Sequence, residues 1–473
     1  REPAKWNAAR EDRLHLAAEI ADVAEALRWI AALLELPAPQ LSRAGKLSLG
    51  LLASRGRAPG QPFALRLQAD LDPLDVVSLA AWAPLAAWAP PLEGLEPRKG
   101  AVGGQLELSW AEAKALRWKA DLKAEGLDLG LRAGPAQPWR PLQLAHAAVR
   151  TEGWADLARR EAEIARLEIE LPFAKGRLLE KGSWNLAGQD ALKARLQVAD
   201  AGAALRLVRG LAGLPLGDPG QGGGADLTLA FARARGKEEK LSISAQGKLD
   251  PMDLGVLARG ATLPPTVRNL GGKAGGEFEV AFATGQPLRW KTSLSGEKLA
   301  AEFRPAASGP WRKMQLALLT LRSEGWLDPK AGSAELALLD AALPFGLISL
   351  TRPARWNIQG KDEAEFLLAI NDLSAAEVWA GSLVELPVKL GKKGERLSAA
   401  ALVTRDRGRG NRIGWSARAE FDPLEIGPLV RLGLDSSSFL AGAGGEVSGK
   451  VALSYSSPEG VRWETDLKGE GLF

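Results

Sequence analysis

The chain of 473 residues contains no cysteine and only two histidines. Without thiols it can form no disulfide, no thiolate nucleophile and no cysteine-based metal site. Because there are only two histidines, we do not expect a histidine-rich metal site either. An oxidising compartment remains allowed, because a sufficiently large core does not need disulfides.

The sequence also has little net charge and no long apolar run. The formal net charge is +4, and nucleic-acid binders normally carry a clustered basic face, so we expect no nucleic-acid partner. The most apolar segment, residues 76–92, is interrupted by Pro84, Pro90 and Pro91, which is unfavourable for a membrane span. The chain begins at Arg1 and shows no signal peptide, so we expect a fragment whose targeting and anchoring segments lie elsewhere.

Catalytic signatures are missing as well. There is no G-x-S-x-G, P-loop, H-E-x-x-H or G-x-G-x-x-G motif. His146 could be taken for a general base, but its counterpart in a second copy of the same segment is Leu318. His15 has no nucleophile motif nearby, and most acidic residues alternate with apolar ones, as on a solvated strand face. We therefore expect no enzyme activity, no metal and no cofactor.

What the chain does contain is an internal repeat. PWRPLQLAHAAVRTEGW (138–154) recurs as PWRKMQLALLTLRSEGW (310–326), with ten of seventeen positions identical at an offset of 172 residues. A third copy begins near the end, where VRWETDLKGEGL (461–472) matches LRWKADLKAEGL (116–127). We place repeat units at 12–189, 190–361 and 362–473, the last one truncated. We also interpret the shared Glu-Gly-Trp as a turn that both copies keep.

Each unit is dominated by alternating apolar and polar residues. Leu116, Trp118, Ala120 and Leu122, for example, are separated by charged side chains. A period of two sends alternate side chains to opposite faces, so the pattern predicts antiparallel sheet with one dry and one charged face. The apolar phase switches across Gly126, which predicts a bulge or bend there.

Two short helices are predicted in each unit. Asp22, Asp200 and Asp372 stand at N-cap positions before apolar residues at helical spacing, and Pro37, Pro215 and Pro387 follow these segments. The pairs Asp72-Pro73, Asp250-Pro251 and Asp422-Pro423 predict a second set of helix starts. The basic run RDRGRGNR (405–412) falls between two strand patterns, which favours a charged hairpin loop.

Tryptophan is unusually frequent, with 16 copies. Trp118, Trp290 and Trp463 share one repeated position, and Trp184 and Trp356, each followed by asparagine, share another. These side chains could fill an ordinary core, or they could line an apolar surface that faces a ligand. Repetition is compatible with both interpretations.

The succession of strands, a short helix ending in Leu-Pro, and Gly-rich hairpins resembles the AsmA-like superfamily, including TamB- and YhdP-type proteins. The segments that carry the resemblance are residues 183–215 and 109–132, each with its copies. The resemblance implies an elongated antiparallel sheet of tandem repeats, folded lengthwise into a half-open hydrophobic groove. It also implies a periplasmic protein of a Gram-negative bacterium, anchored in the inner membrane and linked to phospholipid transport to the outer membrane.

We therefore expect a lipid conduit that shields phospholipid acyl chains. Contacts with the two membranes, and with a possible outer-membrane protein partner, would come from regions outside this chain. The alternative is a non-catalytic periplasmic scaffold for outer-membrane biogenesis, whose repeats are closed β-sandwiches. Candidate groove-lining residues are Leu106, Leu108, Trp118, Leu122, Ile169, Phe278, Val280, Phe282 and Trp290.

Overall fold

The computed structural model describes most of the strand-forming sequence. The described residues are 11–22, 25, 45–56, 63–76, 95–112, 114–132, 139–156, 158–185, 188–212, 222–235, 239–255, 258, 265–304, 310–383, 396–408, 412–425, 445–456 and 460–471. They divide into two compact units, residues 1–243 and residues 244–473. The predicted mainly β, antiparallel fold class is confirmed, because the described residues form 22 strands and two helices.

In the first unit each strand pairs antiparallel with its neighbour along the chain up to β7, and β10 pairs with β8, β9 and β11. The elements are β1 (Glu11–Ile20), β2 (Leu47–Gly56), β3 (Phe63–Asp75), β4 (Leu95–Ala111), β5 (Leu116–Leu131), β6 (Arg140–Asp156), β7 (Glu161–Leu171), β8 (Ala174–Leu178), β9 (Gly182–Asn185), β10 (Gln189–Val198), helix α1 (Ala201–Ala212) and β11 (Ala225–Ala234). The boundary between the units falls inside β12 (Lys240–Asp253).

The second unit is an uninterrupted antiparallel series from β13 to β22. Its elements are β13 (Val267–Ala283), β14 (Leu288–Phe303), β15 (Arg312–Asp328), β16 (Ser333–Leu343), β17 (Gly346–Asn357), β18 (Lys361–Ile370), helix α2 (Leu373–Leu383), β19 (Leu397–Asp406), β20 (Arg412–Glu425), β21 (Glu446–Ser456) and β22 (Gly460–Glu470). The charged hairpin predicted for residues 405–412 is confirmed, since Asp406 pairs with Arg412 across it.

The sequence repeat recurs as a repeat of elements. Strands β10 to β17 follow the order of β1 to β9, with β17 taking the place of the broken pair β8 and β9. Lengths are conserved along with order: β4 and β13 each have 17 residues, and β5 and β14 each have 16. The 172-residue period is therefore an eight-strand period.

The helices bear out one set of predicted caps. The Asp200 carboxylate accepts a hydrogen bond from the Ala203 amide (3.1 Å), and Asp372 accepts one from Ala375 (3.0 Å). Both helices begin at the next residue, as the N-cap prediction requires. Asp22 makes the same kind of bond to the Glu25 amide (3.0 Å), but the rest of that segment lies outside the described residues. The prolines expected to end these helices, Pro37, Pro215 and Pro387, also lie outside the described residues.

The second set of helix starts is predicted too early, because helical backbone begins only after the strands, at Val76 and at Leu254. The pairs Asp72-Pro73, Asp250-Pro251 and Asp422-Pro423 lie inside strands β3, β12 and β20. The Asp72 amide donates to the Lys46 carbonyl (2.9 Å), so the backbone is still bonded across strands where a first helical turn was expected. The pairing of β3 with β4 shifts between Leu71 and Leu74, and a bulge is one place where a sheet tolerates proline.

Gly126 is confirmed as an irregular position. It adopts a left-handed conformation (φ 58°), and the pairing of β4 with β5 shifts register close by. Beyond Gly126 the buried side chains are Leu129 and Leu144, whereas Glu125 and His146 are exposed. The left-handed residue therefore turns the apolar side chains that follow it back towards the covered side. Lys298, the counterpart of Gly126 in the second copy, also has positive φ (50°).

A small core lies where each helix meets the sheet. In the second unit it contains Leu316, Phe345 and Ala376, and the Phe345 and Trp379 rings lie 5.4 Å apart. In the first unit the counterparts of two of these, Leu144 and Phe173, are also buried. None of the described helices has the length and apolar character needed to cross a bilayer.

A repeated ion pair closes the junction between successive repeats. Asp190 is only 3% exposed; its carboxylate binds the Arg235 guanidinium (2.6 Å) and accepts a hydrogen bond from the Asn185 amide (2.9 Å). In the second copy Asp362 binds Arg407 (2.7 Å) and the Asn357 amide (2.8 Å). The repeated Trp-Asn pair thus has a structural role, because the backbone N–H of its asparagine donates a hydrogen bond to the first acidic residue of the next repeat.

This junction predicts a pH-dependent stability. Burial by itself would raise the pKa of Asp362. Hydrogen bonds from Arg407 and from the Asn357 backbone amide, together with the positive charges of Arg407 and Arg405, outweigh burial, so the pKa is lowered. A lowered pKa adds stability above the ordinary carboxyl pKa of about 3.9, and this stability is lost as the pH falls through the lower, folded-state value. Asp362→Asn should cost about 2 kcal/mol of unfolding free energy at pH 7, and less at pH 3, in urea titrations.

Asp340→Asn, on the charged face of β16, is the matched control and should leave the unfolding free energy almost unchanged at both pH values. Equal effects of the two substitutions at pH 7 would contradict a stabilising role for the junction.

Candidate functional site

The candidate groove residues of the first unit lie together on one face of its sheet. Leu106 is opposite Ala120, and Leu108 is opposite Trp118. Leu122 is opposite Val149, and Val149 is opposite Ile169. Directly opposed residues in an antiparallel pair point to the same side of the sheet. We call this side the apolar face.

The apolar face is continuous across the first unit. One row of directly paired residues crosses ten strands without a charged or polar side chain: Ile20, Leu47, Leu71, Gly104, Leu122, Val149, Ile169, Gly176, Leu196 and Leu227. A second row runs parallel to it: Leu16, Leu51, Leu67, Leu108, Trp118, Gly153, Ile164 and Gly182.

The second unit has an apolar face of the same kind. Val280 is opposite Trp290, and Phe278 and Phe282 lie on the same side of β13 as Val280. One row of paired residues crosses the ten strands from β13 to β22: Gly276, Leu294, Leu321, Ala341, Ile348, Leu368, Ala399, Ala419, Val451 and Thr465. Only its last member carries a polar group.

The opposite face is charged and crossed by ion pairs. Arg150 binds Asp121 (3.1 Å), and Lys175 binds Glu170 (2.6 Å). The hydrogen bond and the charge of Lys175 lower the pKa of Glu170. The two faces therefore differ sharply in their affinity for water, which is the property that a lipid-binding sheet requires.

Side chains on the apolar face remain partly open to solvent. Ile169 is 37% exposed and Phe282 is 39% exposed. At the hairpin ends of β3 to β6 an open cavity of about 1010 Å³ is lined by Leu65, Trp110 and Leu116, among others. Exposed apolar side chains that adjoin one another usually mark a surface that binds something.

The rings of Trp118 and Trp290 lie against glycines of the next strand. A β-carbon placed on Gly153 would lie 2.5 Å from the Trp118 ring, and one on Gly325 would lie 2.6 Å from the Trp290 ring. The Trp118 indole also donates a hydrogen bond to the Thr151 hydroxyl (3.2 Å). The Trp118 ring therefore packs against the sheet and forms part of the apolar face.

The interpretation of Glu-Gly-Trp as a turn is wrong. Gly153 and Gly325 lie inside strands β6 and β15, where the pairing with the following strand shifts register. The glycine is needed because it leaves room for the indole ring, and the shift marks a β-bulge. The signal for this contact was present in the sequence as a tryptophan and a glycine that recur together.

The histidines do not form a site. His146 is exposed on the charged side of β6, opposite Glu125, and His15 is exposed on β1. Within the described ranges no group of three or more acidic or histidine side chains is placed to hold a metal ion. Sequence reasoning missed the junction arginines Arg235 and Arg407, whose carboxylate partners are distant in sequence.

The arrangement offers an extended apolar surface in each unit and a charged surface behind it. Such a surface can shelter hydrocarbon by removing it from water, and this requires no reactive side chain. Comparisons with protein-family models, with curated proteins and with solved structures found no match, so the likeness to the AsmA-like superfamily rests on the sequence pattern alone.

Proposed function

We propose that this protein binds phospholipid acyl chains along its apolar sheet faces and acts as a lipid conduit. The observation that carries the proposal is the row of ten directly paired residues, from Ile20 to Leu227, that contains no polar side chain. A surface built by cross-strand pairing is shaped for a long, flexible, apolar ligand more than for a compact one.

The energetics suit such a role. Exposing hydrocarbon to water costs about 0.8 kcal/mol per methylene, so a sixteen-carbon chain costs on the order of 12 kcal/mol. Strands lie about 4.8 Å apart, so ten of them offer an apolar path of roughly 43 Å along the sheet. A lipid that moves along this path never exposes its whole chain.

In this proposal the protein works in the cell envelope of a Gram-negative bacterium, between the inner and outer membranes. This location follows from the resemblance to AsmA-like proteins. Contacts with both membranes, and with an outer-membrane protein as a candidate partner, are assigned to regions other than these 473 residues.

The alternative function, a scaffold built of closed β-sandwiches, requires the apolar faces to be covered by protein. The exposure of Ile169 and Phe282 favours an open face over a closed one. We therefore place the scaffold second.

Native mass spectrometry of the purified chain tests the proposal. We expect adducts with the masses of phospholipids, which disappear when detergent or apolar resin competes for the acyl chains. Tritiated or fluorescent phosphatidylethanolamine should rebind afterwards. A chain that carries no lipid and fails to take up added phospholipid would favour the scaffold.

A further inference from the structure

The charged face of the first unit carries a row of opposed charges whose alternation breaks at one place. From β5 to β10 the directly paired residues are Asp121, Arg150, Glu168, Arg177 and Arg195. The sign alternates along the first four of them. Arg177 of β8 and Arg195 of β10, however, are two cations directly opposite each other. Like charges in this position are destabilising, because the two side chains start only about 5 Å apart.

Asp226 offsets one of these two charges. Its carboxylate accepts hydrogen bonds from Nε (2.8 Å) and Nη2 of Arg195, which leaves Nη1 of that guanidinium without a partner among the described residues. The hydrogen bonds from Arg195 are the main cause that lowers the pKa of Asp226, and the charge of Arg177 contributes. The Arg177 side chain itself makes no hydrogen bond or ion pair with any residue that the structure describes.

The carboxylate on the other side of Arg177 is also held by other groups. Glu168 accepts hydrogen bonds from Nε (3.0 Å) and Nη2 (2.9 Å) of Arg166, and a nitrogen of Arg150 lies 3.7 Å from it. Both carboxylates that adjoin Arg177 are therefore engaged by different arginines. No direct contact with the described part of the chain compensates the charge of Arg177.

The two opposed arginines line a cavity of about 280 Å³. The charged side chains of its lining are Arg150, Glu168, Glu170, Lys175, Arg177 and Arg195. Cations thus outnumber carboxylates by four to two, and the volume is close to the lower limit for small-ligand pockets, about 300 Å³. Guanidinium groups suit a tetrahedral oxyanion, because their planar N–H groups match the spacing of its oxygens.

The second copy shows that the fold does not need the opposed arginines. Its matching row has the same pairing and consists of Ser293, Arg322, Asp340, Ser349 and Leu367. Ser349 and Leu367 take the places of Arg177 and Arg195, and the register is unchanged. A like-charge pair that strand pairing does not require, and that lines a cavity, indicates a site for an anion.

We propose that Arg177 and Arg195 bind an oxyanion of the phosphate type between them. Its oxygens accept hydrogen bonds from the Arg177 guanidinium and from Nη1 of Arg195, and its charge restores the alternation of the row. The site lies on the opposite side of the sheet from the apolar face, so it does not depend on the proposed lipid binding. Inorganic phosphate and a phospholipid headgroup at a membrane surface offer the same chemistry, and the experiments separate these two sources.

Isothermal titration calorimetry with inorganic phosphate at constant ionic strength tests the site. The native 473-residue chain should bind with a Kd on the order of 1 mM, the weak affinity expected of a few charge-assisted hydrogen bonds. Arg177→Ser should weaken binding about tenfold, the effect of losing hydrogen bonds from one charged group. This variant installs the residue of the second copy, so the register should be kept.

Arg117→Ser is the matched control. Arg117 also lies on the charged face without an ion pair to the described residues, but it is opposite Ser109 and Trp154 and not opposite a cation. Its loss should leave the phosphate affinity unchanged. A native chain that does not bind phosphate, or equal losses of affinity in the two variants, would overturn the proposal.

Sedimentation with vesicles of phosphatidylcholine and phosphatidylglycerol identifies the source of the phosphate. If Arg177→Ser sediments less than the native chain while Arg117→Ser does not, the site takes a lipid headgroup. If all three chains sediment alike and only the affinity for inorganic phosphate falls, the site takes a soluble phosphate.

Urea unfolding gives a readout that a purely structural role would not give. In chloride buffer Arg177→Ser should unfold at a higher urea concentration than the native chain, because the repulsion is removed. Phosphate should raise the midpoint of the native chain and leave that of Arg177→Ser nearly unchanged, since only the native chain binds it. A variant that is less stable than the native chain in both buffers would mean that Arg177 serves the packing of the sheet, against the proposal.

Discussion

Replacing Ile169 with aspartate is expected to weaken phospholipid binding by about 100-fold while the fold is kept. Ile169 is 37% exposed at the middle of the apolar face, so the substitution need not disturb a packed core. Placing a carboxylate among hydrocarbon chains costs about 3 kcal/mol of free energy, which corresponds to about two orders of magnitude in lipid affinity. Titration with a fluorescent phospholipid gives the affinity, and circular dichroism verifies the fold.

The matched control is Ser109→Asp, which introduces the same charge on the opposite face of β4, between Arg66 and Arg117. It should leave lipid affinity unchanged. In the second unit Phe282→Asp should behave like Ile169→Asp, since Phe282 is equally exposed. If Ile169→Asp and Ser109→Asp bind lipid alike, the apolar face is not the binding surface.

Gly153→Ala is expected to destabilise the first unit by about 3 kcal/mol, the upper range for forcing atoms into a filled space. The new β-carbon would lie 2.5 Å from the Trp118 ring and 2.3 Å from the Glu163 carbonyl oxygen. The Glu163 carbonyl belongs to the backbone of β7 and cannot move without a large cost in energy, so the pairing between β6 and β7 must shift. Urea unfolding followed by tryptophan fluorescence measures the loss.

Gly50→Ala provides the control for this prediction, because it makes the same chemical change in a strand. A β-carbon on Gly50 would meet nothing within 4 Å, and Gly50 has no positive φ. This variant should be neutral or slightly more stable, since alanine reduces the entropy of the unfolded chain. In a double-mutant cycle, Gly153→Ala should cost less in the Trp118→Ala background than in the native chain, but the cost should not vanish, because the carbonyl contact remains. Equal stabilities of Gly50→Ala and Gly153→Ala would refute the indole-over-glycine packing.

Local patterns in the sequence predicted the parts of the fold that depend on neighbouring residues. Alternation in β5 and β7 placed Leu122 and Ile169 on the apolar face, and Asp200 and Asp372 marked the helix starts. Both signals act over a few residues, because side-chain direction and capping are set by the local backbone.

The wrong predictions concern residues whose neighbours are distant in sequence. Asp72-Pro73 has the composition of a helix start, but the Asp72 amide is bonded to Lys46 of the preceding segment. Gly153 looked like a turn because turns favour glycine, although here the glycine accommodates a tryptophan 35 positions earlier in the chain. Arg407 lies in the run predicted as a charged hairpin loop, but it holds a carboxylate 45 residues away, as Arg235 does in the first copy.

The sequence by itself determined the mainly β fold class, the apolar and charged faces of each strand and the repeat of 172 residues. All three are periodic features of a linear chain. The tertiary structure alone decided which apolar residues stand side by side, where the indole rings lie and which arginine meets which aspartate. These depend on cross-strand register, which is set by pairing energies summed over residues that the chain brings together only when it folds.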